Sequence, residues 1–119
     1  VAQDFGDPAA FIGSFGLFNF QAGWSASFSN GTNGLNTNTT DWIVSDVDFG
    51  VVPVAPVSFG TDGVSPWGDR PLIDNAALNI WHPSNGNTVY FTTVITVVPA
   101  PGAAALLGLG GLVATRRRR

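Results

Sequence analysis

Between Phe18 and Ser29 the chain changes character at every step. Phe18, Phe20, Ala22, Trp24, Ala26 and Phe28 alternate with Asn19, Gln21, Gly23, Ser25, Ser27 and Ser29. Successive side chains of an extended strand point to opposite faces, so this spacing gathers every apolar group on one side. On a helix the same spacing would scatter the aromatic rings around the whole cylinder. The stretch predicts a half-buried antiparallel strand.

Other segments read the same way. Trp42–Val52 places Ile43, Ser45, Val47, Phe49 and Val51 on one face and Asp46 and Asp48 on the other. Val54–Phe59 carries Pro56, which confines it to a sheet edge or an extended connection. Ala76–Trp81 alternates weakly. Thr88–Val98 is long and β-branched, with Val89, Phe91, Ile95 and Val97 on one side and Tyr90, Thr92, Thr96 and Val98 on the other. Turn signals separate these runs: Asn30-Gly31, Asn33-Gly34, Asp62-Gly63, Pro66 through Pro71, and Ser84-Asn85-Gly86-Asn87. The expected fold is mainly β, an antiparallel β-sandwich or jelly-roll-like domain followed by a short C-terminal apolar helix. Phe18, Phe20, Trp24, Phe28, Val47, Phe49, Phe91 and Ile95 are the expected core. Such a small set of strands is few for a closed sandwich, and Val1-Ala2-Gln3 has neither an initiator Met nor a leader-like pattern. The start reads as a mature or a truncated N-terminus, and a truncation would account for the small number of strands.

Charge narrows the function classes. The chain of 119 residues has eight Asp, no Glu, no Lys and five Arg, and four of those arginines are its last four residues. Without Arg116–Arg119, one Arg faces eight Asp, a net charge of −7. A body of that sign has nothing to neutralise phosphates, so nucleic acid is excluded as its partner. With no Cys and a single His, thiol catalysis, disulfide scaffolds, iron–sulfur clusters and histidine-cluster metal sites fall away.

Residues 98–119 differ from residues 1–97 in every respect. Val98-Pro99-Ala100-Pro101 leads into Gly102-Ala103-Ala104-Ala105-Leu106-Leu107-Gly108-Leu109-Gly110-Gly111-Leu112-Val113, and Ala114-Thr115 into Arg116, Arg117, Arg118 and Arg119. Physically this is an extended hinge, a short apolar helix and a cationic stop. The uncharged stretch Pro99–Thr115 has 17 residues, short of the roughly 20 that a bilayer span needs. Its leucines and valine favour insertion by roughly −1.5 to −3 kcal/mol together, while its glycines add little. Insertion is therefore marginal, and the arginines orient the tail to the cytoplasm with the body outside. Ala104 and Gly108 form a small-xxx-small pair, a weak signal of helix contact in the membrane.

This order of elements at the C terminus resembles the PEP-CTERM sorting signal of Gram-negative and related bacteria. The resemblance covers about the last 22 residues and says nothing of the rest. It implies an exported protein, held transiently in the inner membrane and cut near the hinge by an exosortase, a membrane transpeptidase-like enzyme. Pro99, Pro101, the helix and the arginines match the pattern; Ala100 stands where the family has Glu. Carriers of the signal are common in organisms that make exopolysaccharide and biofilm.

The body offers weaker signals. Asp46 and Asp48, two apart on a strand, would point the same way with Cα atoms roughly 6.5–7 Å apart. That fits a solvated sheet face first, a weak calcium site second, and a glycosidase carboxylate pair third. His82 lies between Trp81 and Pro83 and reads as structural; no Gly-x-Ser-x-Gly elbow exists, and Ser25 in Gly23-Trp24-Ser25-Ala26-Ser27 sits within the best strand. Trp24, Trp42, Trp67, Trp81 and Tyr90 read mainly as core, with Trp67 alone expected at the surface as a sugar-stacking ring. Asn30–Thr40 reads as a mobile polar loop. The resulting expectation is a non-enzymatic envelope or extracellular-matrix protein, structural or polysaccharide-associated. The alternative is the C-terminal fragment of a secreted hydrolase whose catalytic residues lie upstream of Val1.

Overall fold

The computed structural model describes residues 2–3, 9–18, 22–84 and 86–116, by backbone alone at 103–105 and 114–116. Among these residues nine strands precede one helix: β1 (Ala2–Gln3), β2 (Ser14–Gly16), β3 (Ser25–Phe28), β4 (Gly34–Asn36), β5 (Ile43–Ser45), β6 (Val57–Thr61), β7 (Leu78–Trp81), β8 (Thr88–Thr92), β9 (Ile95–Val98) and α1 (Pro101–Arg116). Every pairing among them is antiparallel. The fold is mainly antiparallel β with one short C-terminal helix. The strands form one three-stranded sheet, β1-β8-β5, and three two-stranded sheets, β2-β4, β3-β9 and β6-β7. None of these closes among the described residues, so the mainly antiparallel β class is shown and the finer sandwich or jelly-roll arrangement is not.

The core lies on the two faces of β7. Ile80 joins Phe28, Leu35 and Trp42, while its neighbour Trp81 joins Ala9, Val44 and Val89. Consecutive residues of a strand face opposite ways, so one strand serves two clusters. Phe11 and Phe91 pack against both clusters, with ring centroids 4.5 Å apart. Each fully buried side chain of this size contributes about 1.5–3 kcal/mol. Thr37 ties three segments together from within: its hydroxyl accepts from Gly13 N and donates to Leu78 O, and its own main chain bonds to both residues.

Several sequence expectations are corrected. The long strand from Phe18 to Ser29 shrinks to β3, because the chain turns at Ala22-Gly23 and Gly23 takes φ +80°. That left-handed conformation suits glycine and breaks the alternation the pattern implied. Phe18 is 79% exposed and Trp24 half-buried, while Phe28 is buried. Phe20 lies outside the described residues. The Trp42–Val52 strand stops at Ser45 and buries the opposite face: Trp42 and Val44 are inside, and Ile43, Val47, Phe49 and Val51 are exposed. Ile95 is exposed too, and Phe91 is half-buried between the clusters. The Asn30–Thr40 segment is not a polar loop throughout, since it contains β4 with Leu35 and Thr37 buried.

The expected boundary between body and tail falls within β9, which runs to Val98. Beyond it the chain leaves the body. The radius of gyration is 19.8 Å, where a compact chain of this length has about 13–14 Å.

Candidate functional site

Pro99 has no N–H to donate, so the β3-β9 ladder ends at the Ser25–Val98 pair. The helix begins at Pro101, one residue earlier than a Pro-x-Pro hinge implies. Proline fits the first helical position, where its missing donor and fixed φ cost nothing. The non-helical hinge is therefore only Pro99-Ala100. Ala100 is half-buried against the Ala22-Gly23 turn, and a Cβ at Gly23 would come within 2.8 Å of the Ala100 Cβ. Glycine at 23 thus serves twice, by its positive φ and by leaving room for the hinge.

Across its 16 residues α1 is about 24 Å long, against about 30 Å of bilayer hydrocarbon. Among the described residues no helix is long and apolar enough to cross a membrane. Leu106, Leu107, Leu109, Leu112 and Val113 are all exposed, and among the described residues no strand packs extensively along the helix. Arg116 closes the helix, while Arg117, Arg118 and Arg119 lie outside the described residues.

The carboxylates singled out in the sequence do not converge. Because β5 ends at Ser45, Asp46 and Asp48 are not neighbours on one strand face. The Ser45 hydroxyl donates to Val51 O and accepts from Val47 N, which turns the chain there. Asp48 Oδ1 accepts from Phe49 N at 2.7 Å, and Asp46 Oδ1 lies 3.9 Å from His82 Nε2. His82 is buried, and its Nδ1 accepts from Ser84 N. No group of three or more metal-ligating side chains occurs among the described residues.

Of the ring candidates, Trp42 and Trp81 are core, as expected. Trp67 is half-buried with its ring 5.9 Å from Phe59, so it is no open platform. Tyr90 meets Phe49 edge-on at 5.0 Å. The sequence reading missed a different place, a cleft of about 370 Å³ lined by Phe15, Asn30, Gly34, Leu35, Asn36, Asn38 and Asp74. The alternation of Leu35 and Thr37 inward with Asn36 and Asn38 outward was its legible signal. Phe15, 38% exposed, supplies an aromatic wall. Bonds from the Ala76 N–H and the Asn36 side chain hold Asp74 below the usual carboxylate range, with burial acting in the opposite direction. Asn38 is spoken for: its amide donates to Asn36 O and Asp41 Oδ2, and its oxygen accepts from Thr40 N and Asp41 N.

A second fixed carboxylate lies at the β6-β7 turn. Asp62 accepts from Arg70 N at 3.0 Å and from Arg70 Nη1 at 3.2 Å. The Arg70 N–H lowers its pKa most, desolvation opposes, and the guanidinium lowers it further. The lone arginine of the body is thereby used to pin a loop.

No protein-family model, curated protein or solved structure matches this chain.

Proposed function

We propose that this chain is an exported bacterial envelope or extracellular-matrix protein whose C-terminal segment is a PEP-CTERM-like sorting signal. An exosortase-type enzyme cuts that segment from a non-enzymatic, polysaccharide-associated β domain. The observation that carries the reading is α1, an apolar helix with its described leucines and valine in solvent and arginine at its end. Each of those side chains gains roughly 0.3–0.6 kcal/mol on entering hydrocarbon at mid-helix depth. A helix about 6 Å shorter than the hydrocarbon layer holds weakly, by thinning the bilayer or tilting its flanks into the interface, which suits a temporary anchor. The cationic end resists translocation and keeps the hinge at the outer boundary.

For the body, the support is the cleft. A half-exposed phenylalanine beside asparagine amides and a carboxylate matches the mixed apolar and hydroxyl surface of a sugar. Retention of the purified chain on a panel of polysaccharides, lost on Phe15→Ala, is the expected result.

Intact-mass measurement of the protein from its native host tests the sorting reading. The expected mature form lacks Arg116–Arg119. Replacing the four arginines by Ser should reduce both membrane retention and processing, and Pro99→Ala with Pro101→Ala should block processing alone. A mature form that keeps Arg119 at full stoichiometry would leave a simple tail anchor in place of a sorting signal.

A further inference from the structure

β9 pairs with β3 on one side only; no described strand pairs with its other edge. Which of its main-chain groups face that edge follows from the turn after β3. Phe28 N–H donates to Thr32 O, and Phe28 O accepts from Gly31 N. The main-chain groups of Phe28 are thus occupied on the side away from its partner Ile95. Bonded and non-bonded pairs alternate along an antiparallel ladder. The bonded pairs are therefore Ser27–Thr96 and Ser25–Val98, and the main-chain groups of Ile95 and Val97 point outward. All four β9 residues are exposed, and the strand runs directly into the hinge.

We propose that this outer edge of β9 is a docking strand for the enzyme that cuts the hinge, captured by strand addition along Ile95 and Val97. The inference rests on the sorting reading above and names how the enzyme recognises its substrate. Strand addition takes affinity from main-chain bonds and specificity from alternate side chains. Here the alternate side chains are Ile95 and Val97, both apolar, on one face. An enzyme edge paired there has the hinge two residues beyond Val97, within reach of its reacting groups. Length decides against a second copy of this chain as the occupant. Four residues span roughly 13 Å, and a sheet is about 10 Å deep, so two such edges bury on the order of 300 Å². A stable dimer needs about 1,200–2,000 Å². Transient capture by a processing enzyme needs no such area.

The test compares processing of full-length variants in the native host, read by intact mass, with folding checked by circular dichroism of each purified chain. Val97→Pro removes the outward N–H and leaves the β3 ladder its partners, since proline is tolerated where a strand's N–H faces out. It should slow processing at least tenfold, and Ile95→Pro should do the same. Val97→Ile keeps both the N–H and an apolar β-branched side chain and should be processed as the parent chain is. A measurement independent of folding uses synthetic peptides spanning Ile95–Ala100 as competitors in host membranes. N-methylation at Val97 should abolish inhibition, whereas N-methylation at Thr96 should preserve it. If the parent chain is cut and the Val97→Pro chain is cut as fast, edge docking is wrong while the sorting reading stands. If the parent chain itself is never cut, the sorting reading fails first and the docking strand with it. A purified parent chain that sediments as a dimer, and a Val97→Pro chain that does not, would assign the edge to a second copy and overturn the proposal.

Discussion

β8 and β9 are halves of one β-branched run, separated only by Thr93 and Val94, yet they live in different surroundings. β8 is flanked by β1 and β5 and places Val89 at 0% exposure; β9 has β3 as its one strand neighbour among the described residues and leaves Val97 at 43%. Residue type is the same in both positions. What differs is the number of neighbours the topology supplies, and with it the apolar area removed from water. The body is therefore held by a few central strands, and the limb from β9 through α1 adds little to its stability.

The comparison can be broken at its strong end. Trp81→Ala empties a core position and removes the indole bond to Gly86 O, and should cost about 3–5 kcal/mol in urea unfolding. The matched pair is sharper. Val89→Ala should cost about 2 kcal/mol, and Val97→Ala less than about 0.5 kcal/mol. Equal losses would mean that β9 is as well covered as β8. Acid should act on the body as well. Asp62 and Asp74 both titrate lower in the folded chain than in the unfolded one. Their contribution is present above the ordinary Asp value of about 3.9 and is lost as pH falls through the lowered folded values. Unfolding midpoints between pH 7 and pH 2 should show that decline, and Asp62→Asn should flatten part of it. The smallest effect belongs to the limb: removing residues 102–119 should shift the midpoint of unfolding by no more than the error of the measurement.

The fold class was legible because alternation and turn residues are local signals. Asn30-Gly31 and Asp62-Gly63 do turn the chain, with Gly31 at φ +78° and Gly63 at φ +91°. Strand limits and inward faces were less legible, for two reasons with names. At Gly23 a residue counted as one more polar position is a break, since glycine satisfies either pattern. At Ile43 and Val44 both residues are apolar, so the phase is ambiguous, and the packing of Val44 against Trp81 and Val89 decides it. The tail was legible as hinge, helix and arginines. Its contact with the body was not, because nothing local to Ala100 announces that Gly23 makes room for it. The cleft was legible only on its Asn36 and Asn38 side: Phe15 and Asp74 are 59 positions apart, and only the folded chain brings them together.

The short β3-β9 ladder also has a mechanical meaning. Tension applied to α1 enters the body at Val98, whose partner Ser25 is the first to carry it. Two bonded pairs resist before the load passes to Thr93, whose hydroxyl is tied to Asp41 O at 2.8 Å, and from there toward β5. Drag on a tethered chain would peel β9 away while the clusters around Trp81 and Ile80 stay intact. In a chain held by residues 98–119, this ladder would be the first part of the body to give way.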